Sequence, residues 1–227
     1  MYSFLFIDLD DTIFDFQKAE QIALSKTIRS FGVEPTDDIL HLYHKINKWH
    51  WQQLELGKIT RERLLVERFQ VLFQQLGHPI DPAACARTYE KNLGTGHWYL
   101  PGAQEALEQL RKTHKLYLAS NGTASVQKGR MDSANLYPYF DGIFISQEIG
   151  YNKPAKEFFQ GCFRQIPDFD LEKALMIGDS LSSDILGGKN AGMKTIWVNP
   201  SHKDCGDIQP DWEIESLAQL PKLLETI

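Results

Sequence analysis

The sequence predicts an α/β protein: a doubly wound parallel sheet that carries an all-helical insert after its first strand. Three observations carry that expectation. Short, continuous apolar runs recur, each ending at a polar residue. Helical apolar periodicity separates these runs from residue 97 onward. Residues 17–96 show helical periodicity throughout and no convincing strand. Apolar runs without alternation suit strands buried on both faces of a parallel sheet. Strands that alternate with helices define the doubly wound class.

In chain order, Phe4-Leu5-Phe6-Ile7 is the first such run and ends at Asp8. In the insert, Ile22, Ala23, Ile28 and Phe31 form one stripe, and Ile39, Leu42, Tyr43 and Ile46 a second. A third stripe, Leu65, Phe69, Leu72, Phe73 and Leu76, is closed by Gly77, and Asp81-Pro82 starts a fourth with Cys85, Ala86, Tyr89 and Leu93. Four or five helices are expected there. Beyond it, Ala103, Ala106, Leu107 and Leu110 fall at helical spacing, then Leu116–Ala119 runs into Ser120-Asn121-Gly122. Ile143–Ile145 leads to Ser146, and Ala174–Ile177 to Gly178-Asp179-Ser180. Pro154 suits a helix start, where its missing N–H costs nothing. A helix is expected from near Ser182 or Ser183, with Gly192 as its C′ residue, before the strand Thr195–Val198. The domain expectation is therefore a Rossmann-like core from 1–16 and 97–227, with a helical domain from 17–96.

Composition narrows the function classes. The net charge is −6 with basic residues scattered, so a nucleic-acid backbone, which needs a clustered positive face, is not an expected partner. The 3 cysteines are far apart, with neither a CxxC pair nor zinc spacing. No basic start with a long apolar stretch marks a leader, and no run is long enough to span a bilayer. A cytoplasmic protein with no membrane partner, monomer or homodimer, is expected.

Chemistry enters through the strand ends. Ligands of open α/β sheets bind at the carboxyl edge, where the strand order reverses. Asp8, Asp10, Ser120, Asn121 and Asp179 all follow core strands, so they are expected in one crevice. Clustered carboxylates repel and call for a divalent cation or a shared proton. Hard oxygen donors without histidine or thiolate suit Mg²⁺, which binds through a few carboxylates and a substrate phosphate. A phosphate monoester brings about two negative charges; one Mg²⁺ together with Lys153 offsets that load.

These residues resemble the four motifs of the haloacid dehalogenase superfamily, in order and across the chain. Asp8-Leu9-Asp10-Asp11-Thr12 resembles DxDxT, and Ser120 the Ser/Thr that closes the next core strand. Lys153-Pro154 resembles the third motif, and Gly178-Asp179 with Asp184 the fourth. The helical insert sits where that superfamily places a C1-type cap. The resemblance implies that Asp8 is a covalent nucleophile and that Asp10 is the general acid and base. It implies metal contacts from Asp8, the Asp10 backbone and Asp179, supported by Asp184. Phosphoryl contacts fall to Ser120, Asn121 and Lys153.

A narrower resemblance is to bacterial pyrimidine 5′-nucleotidases. It rests on Asn47-Lys48-Trp49 through Gly57–Thr60, on Ser146–Gly150, and on Asp184–Gly188 with Asn190-Ala191-Gly192. It implies a nucleoside monophosphate as the small phosphorylated substrate, with Asn47, Trp49 and Trp51 in specificity roles. A sugar-phosphate phosphatase or phosphomutase of the same superfamily is the alternative, and a non-catalytic phospho-aspartate switch the remote one.

Overall fold

Four apolar residues in a row cannot present a polar face, and Phe4–Ile7 forms strand β1 with every residue buried. Leu5 and Ile7 pack into one core cluster and Phe4 and Phe6 into another, because successive side chains point to opposite faces of a sheet. The structure is a computed structural model that describes residues 2–227. After β1 come helices α1 (Phe16–Ser30), α2 (Asp37–Glu55), α3 (Arg61–Leu76) and α4 (Pro82–Leu93). Then follow α5 (Ala103–Leu110), β2 (Lys115–Ser120), α6 (Ala124–Ala134), β3 (Gly142–Ile145), α7 (Ser146–Ile149) and α8 (Lys156–Phe163). The chain ends with β4 (Ala174–Gly178), α9 (Leu186–Asn190), β5 (Lys194–Val198), β6 (Trp212–Ile214) and α10 (Leu220–Leu224).

Two compact units form, one from the N-terminal stretch up to Phe16 with His97–Ile227, the other from Gln17–Gly96. The first holds a 6-stranded sheet in the order β3-β2-β1-β4-β5-β6. Every pairing in it is parallel. The chain winds from β1 outward through β2 to β3, then returns to start again at β4. The order therefore reverses between β1 and β4, and the ligand crevice of such sheets lies at that reversal.

Two details depart from the sequence reading. The structure adds β6, an edge strand of three residues whose central Glu213 is exposed. Alternating polarity over so short a run gives no recognisable strand pattern. Pro154 is not the first residue of α8, which starts at Lys156. A turn, in which the Ala155 N–H donates to the Asn152 carbonyl at 2.9 Å, intervenes. The helix expected after Asp179 does form, entered through one π turn at Leu181–Ile185 that Ser180 caps by accepting from the Ser183 N–H. Gly192 follows it with φ +83°.

The helical unit uses Asp81 and Gly77 as expected, and adds two threonine caps that the sequence reading did not name. Thr36, Thr60 and Asp81 cap α2, α3 and α4 through their side-chain oxygens. Gly77 ends α3 in the left-handed region at φ 66°. An aromatic centre of Tyr43, Phe69 and Tyr89 has ring separations of 5.1 Å and 5.4 Å about Phe69. Phe69 is 0% exposed, so Phe69→Ala deletes the middle of that cluster. The substitution is expected to destabilise the helical unit by about 3–5 kcal/mol. Urea unfolding followed by helical circular dichroism measures this; an unshifted midpoint would contradict the packing.

Candidate active site

The site is built from strand ends. Asp8 follows β1, and its N–H donates to the Ile177 carbonyl at 2.9 Å, which carries the β1–β4 pairing one residue further. Asp179 follows β4, its backbone oxygen accepting from the Trp197 indole at 2.8 Å. Asp184 lies on the π turn and is 1% exposed. Carboxylate oxygens of Asp8, Asp179 and Asp184 lie within 4.8 Å of one another. Asp11, in the turn after β1, takes φ 55° and accepts from the Phe16 N–H at 2.9 Å, where it tethers the start of α1.

One cation answers this cluster from within the fold. Lys153, 1% exposed, donates at 2.6 Å each to Asp8 Oδ1, Asp184 Oδ1 and the Ala119 carbonyl. Those three acceptors saturate an ammonium. Asp184 Oδ2 accepts from the Ser180 N–H at 3.0 Å. Burial pushes the Asp8 carboxyl up to about 8, with Asp184 and Asp10 adding to the rise and Lys153 opposing it. Burial, then the charges of Asp184 and Asp8, also raise Asp179 well above the carboxylate range. Burial alone would push the Lys153 ammonium down, but Asp184 and Asp8 outweigh it and hold it above its ordinary value.

A second network surrounds Asp10. Arg130 Nη1 pairs with its Oδ1, and Gln127 Nε2 donates to its Oδ2 at 2.6 Å. The same Gln127 nitrogen donates to Ser120 Oγ at 2.8 Å. Sequence reasoning missed Gln127 and Arg130. The sequence carried no signal for them: only the structure shows that the inner face of α6 holds Gln127 and Arg130 beside Val126 and Met131, where an apolar stripe is the norm.

Asp8, Asp179, Asp184 and Lys153 are thus brought together, and Ser120 joins Asp10. The Asn121 side chain is used differently from the phosphate contact expected of it. Its Nδ2 donates to the Lys153 carbonyl and its Oδ1 accepts from the Lys153 N–H, both at 2.9 Å, which fixes the lysine backbone. In the helical unit, Asn47 is 2% exposed. Its amide is committed to Glu20 at 2.6 Å and Arg68 at 2.9 Å. Trp49 is exposed and meets His50 edge to face, while Trp51 is half-buried under the Arg61 guanidinium. The cysteines are free thiols; Cys85 is buried, and burial raises it to about 12.

Three carboxylates, Asp8 and Asp184 buried and Asp179 half-buried, stand against one lysine and leave a deficit of positive charge, and all the donors are hard oxygens. That donor set fits Mg²⁺. Fold and site together define a hydrolase of the type that gathers acidic residues at the reversal point of a parallel sheet. The sequence profile described as haloacid dehalogenase-like hydrolase matches residues 5–198, and the chain belongs to that family.

Named relatives agree over nearly the full length. HAD-hydrolase YfnB of Bacillus subtilis (strain 168) is 38% identical over 224 residues, covering 98% of this chain and 95% of the relative. Pyrimidine 5′-nucleotidase PynA of Streptococcus pneumoniae is 39% identical, covering 99% and 95%. Pyrimidine 5′-nucleotidase YjjG of Escherichia coli is 32% identical, covering 98% of each. A crystal structure of YfnB, described as bound to magnesium, superposes with a TM-score of 0.94 over 99% of both chains. No helix among the described residues is long and apolar enough to cross a membrane.

The electrostatics give a pH dependence for the metal-free protein. Between the ordinary value of 3.8 and about 8, Asp8 is ionised when unfolded but protonated when folded. The folded state then binds the extra proton, so stability falls as pH rises through this window. In chelator, Asp8→Asn is expected to flatten that slope. Thermal unfolding from pH 4 to 8 measures it, and parallel curves for both proteins would refute it.

Proposed function

We propose that this protein is a Mg²⁺-dependent phosphate-monoester hydrolase that acts through an aspartyl-phosphate on Asp8, and that its substrates are pyrimidine nucleoside monophosphates. One observation carries the hydrolytic reading. Asp8 stands at the sheet reversal with a second acid, Asp10, two residues on and held by its own partners. The nucleotide reading is supported by likeness to two relatives named pyrimidine 5′-nucleotidases.

The chemistry divides between the two acids. Asp8 attacks phosphorus as the bond to the leaving oxygen breaks, and Asp10 gives that oxygen its proton. The phosphoryl group is then an acyl phosphate on Asp8. Asp10, now ionised, takes a proton from a water molecule as the water attacks phosphorus, which releases phosphate and restores both carboxyls. The Ser120 hydroxyl and the backbone amides near Asn121 meet the phosphoryl oxygens, and Lys153, its three donors held by Asp8, Asp184 and Ala119, adds its positive charge from behind Asp8. Bound Mg²⁺ supplies neutralising charge to the phosphoryl group and to the acidic cluster. Asp8, the Asp10 carbonyl and Asp179 would hold it, with Asp184 in support. Residues 17–96 serve as the cap that selects the substrate.

Phosphate release from pyrimidine and purine nucleoside monophosphates and from sugar phosphates, with Mg²⁺ or with chelator, tests this reading. Chelator-sensitive release concentrated on pyrimidine monophosphates is expected. Release confined to sugar phosphates would keep the mechanism and discard the nucleotide. Asp8→Asn is expected to lower turnover at least about a thousandfold with the fold retained. Asp10→Asn is expected to lower it about 10²- to 10⁴-fold; wild-type turnover in either variant would sink the assigned role.

A further inference from the structure

Gln127 and Arg130 are 1% and 0% exposed, yet neither belongs to the motifs that carry the proposed chemistry. Arg130 lies with its guanidinium carbon 5.3 Å from the Phe14 ring and 5.8 Å from the Phe16 ring. From there Nη1 reaches Asp10 Oδ1 and also donates to Gln127 Oε1 at 3.0 Å. A guanidinium has donors only, so the Gln127 atom that faces it must be the oxygen. That settles the amide orientation. Its NH₂ group is turned to Asp10 Oδ2 and Ser120 Oγ, and both of its hydrogens are used.

The consequence reaches Ser120. Its oxygen accepts from Gln127 and also from the Gly122 N–H at 3.1 Å. A hydroxyl has two acceptor lone pairs and one proton. With both lone pairs occupied, Ser120 is left as a donor, which is what a phosphoryl oxygen requires.

We propose that Gln127 and Arg130 are positioning residues. Arg130 orients the Gln127 amide, and Gln127 in turn fixes the Asp10 carboxyl for proton transfer to the leaving oxygen and keeps Ser120 a donor. This inference rests on the acid–base role proposed for Asp10 and extends it to residues outside the four motifs.

The test compares leaving groups. Wild type, Gln127→Ala, Gln127→Glu and Gly122→Ala are assayed with Mg²⁺ in single-turnover experiments. A Cβ at Gly122 would lie 2.2 Å from Gln127 Nε2, so that variant displaces the amide without changing residue 127. One substrate is the best alkyl phosphate of the panel, whose leaving oxygen needs a proton. The other is 4-nitrophenyl phosphate, whose phenolate leaves without one.

First-turnover release of the alcohol is expected to fall about 10- to 100-fold in all three variants. Nitrophenolate release is expected to fall several times less. Melting temperatures verify that each variant is folded. Gln127→Glu keeps the size but sets a second carboxylate beside Asp10, so it is not expected to rescue the alcohol release. Equal losses on both substrates, or wild-type rates in Gln127→Glu, would overturn the positioning role while leaving the proposed function intact. A wild-type protein silent on both substrates overturns the proposed function, and the positioning role with it.

Discussion

The ammonium of Lys153 is the interaction on which the site depends. It is buried, and it is saturated by Asp8, by Asp184 and by the carbonyl of Ala119 at the end of β2. These acceptors come from the end of β1, the turn after β4 and the strand on the far side of β1. One charge therefore spans the point where the sheet reverses. A buried cation is stable only when paired and hydrogen-bonded, so the three segments must stay in register around it. The lysine is itself placed by the backbone pair with Asn121, so the end of β2 sets its position twice.

Around that centre the acids divide into two sets. Asp8, Asp179 and Asp184 share low-dielectric space, and burial drives Asp8 and Asp179 toward their neutral forms. Asp10 belongs to the other set, with a guanidinium and an amide as its partners. Two carboxyls so close in sequence thus have different partners, Asp8 a buried ammonium and Asp10 a guanidinium and an amide. Ser120 connects with the second set through Gln127, which couples the end of β2 to the residue that follows Leu9.

How far this was legible depended on the kind of signal. The five long strands announced themselves through unbroken apolar runs, and polar residues at their ends marked the carboxyl edge without any three-dimensional information. Trp212–Ile214 offered no such run, since an edge strand needs burial on one side only. Gln127 and Arg130 were hidden for another reason. Taken alone, a glutamine and an arginine on a helix read as solvated surface; only packing against Phe14 and Asp10 turns them inward. Asn121 was found, but its neighbours in sequence pointed to phosphate, whereas its actual partner, Lys153, lies a whole β–α unit away. Asn47 shows the same limit: its hydrogen bonds to Glu20 and Arg68 join three helices of one unit, a relation that no local pattern encodes.

Steric constraint explains one residue of the fourth motif that charge does not. A Cβ built on Gly178 would lie 2.2 Å from Asp184 Oδ2 and 2.7 Å from Asp184 Cβ. Asp184 cannot yield to it easily, because one oxygen is tied to Lys153 and the other to the Ser180 N–H. The end of β4 must therefore lack a side chain so that the turn after it can fold the aspartate back against the strand. In that reading the glycine is required by the carboxylate six residues on, and the π turn at Leu181–Ile185 is the geometry that delivers it. The Gly-Asp pair and the later Asp are thus one packing unit: the glycine makes the room, Asp184 fills it, and Asp179 stands at the lip with its carboxylate in the cluster.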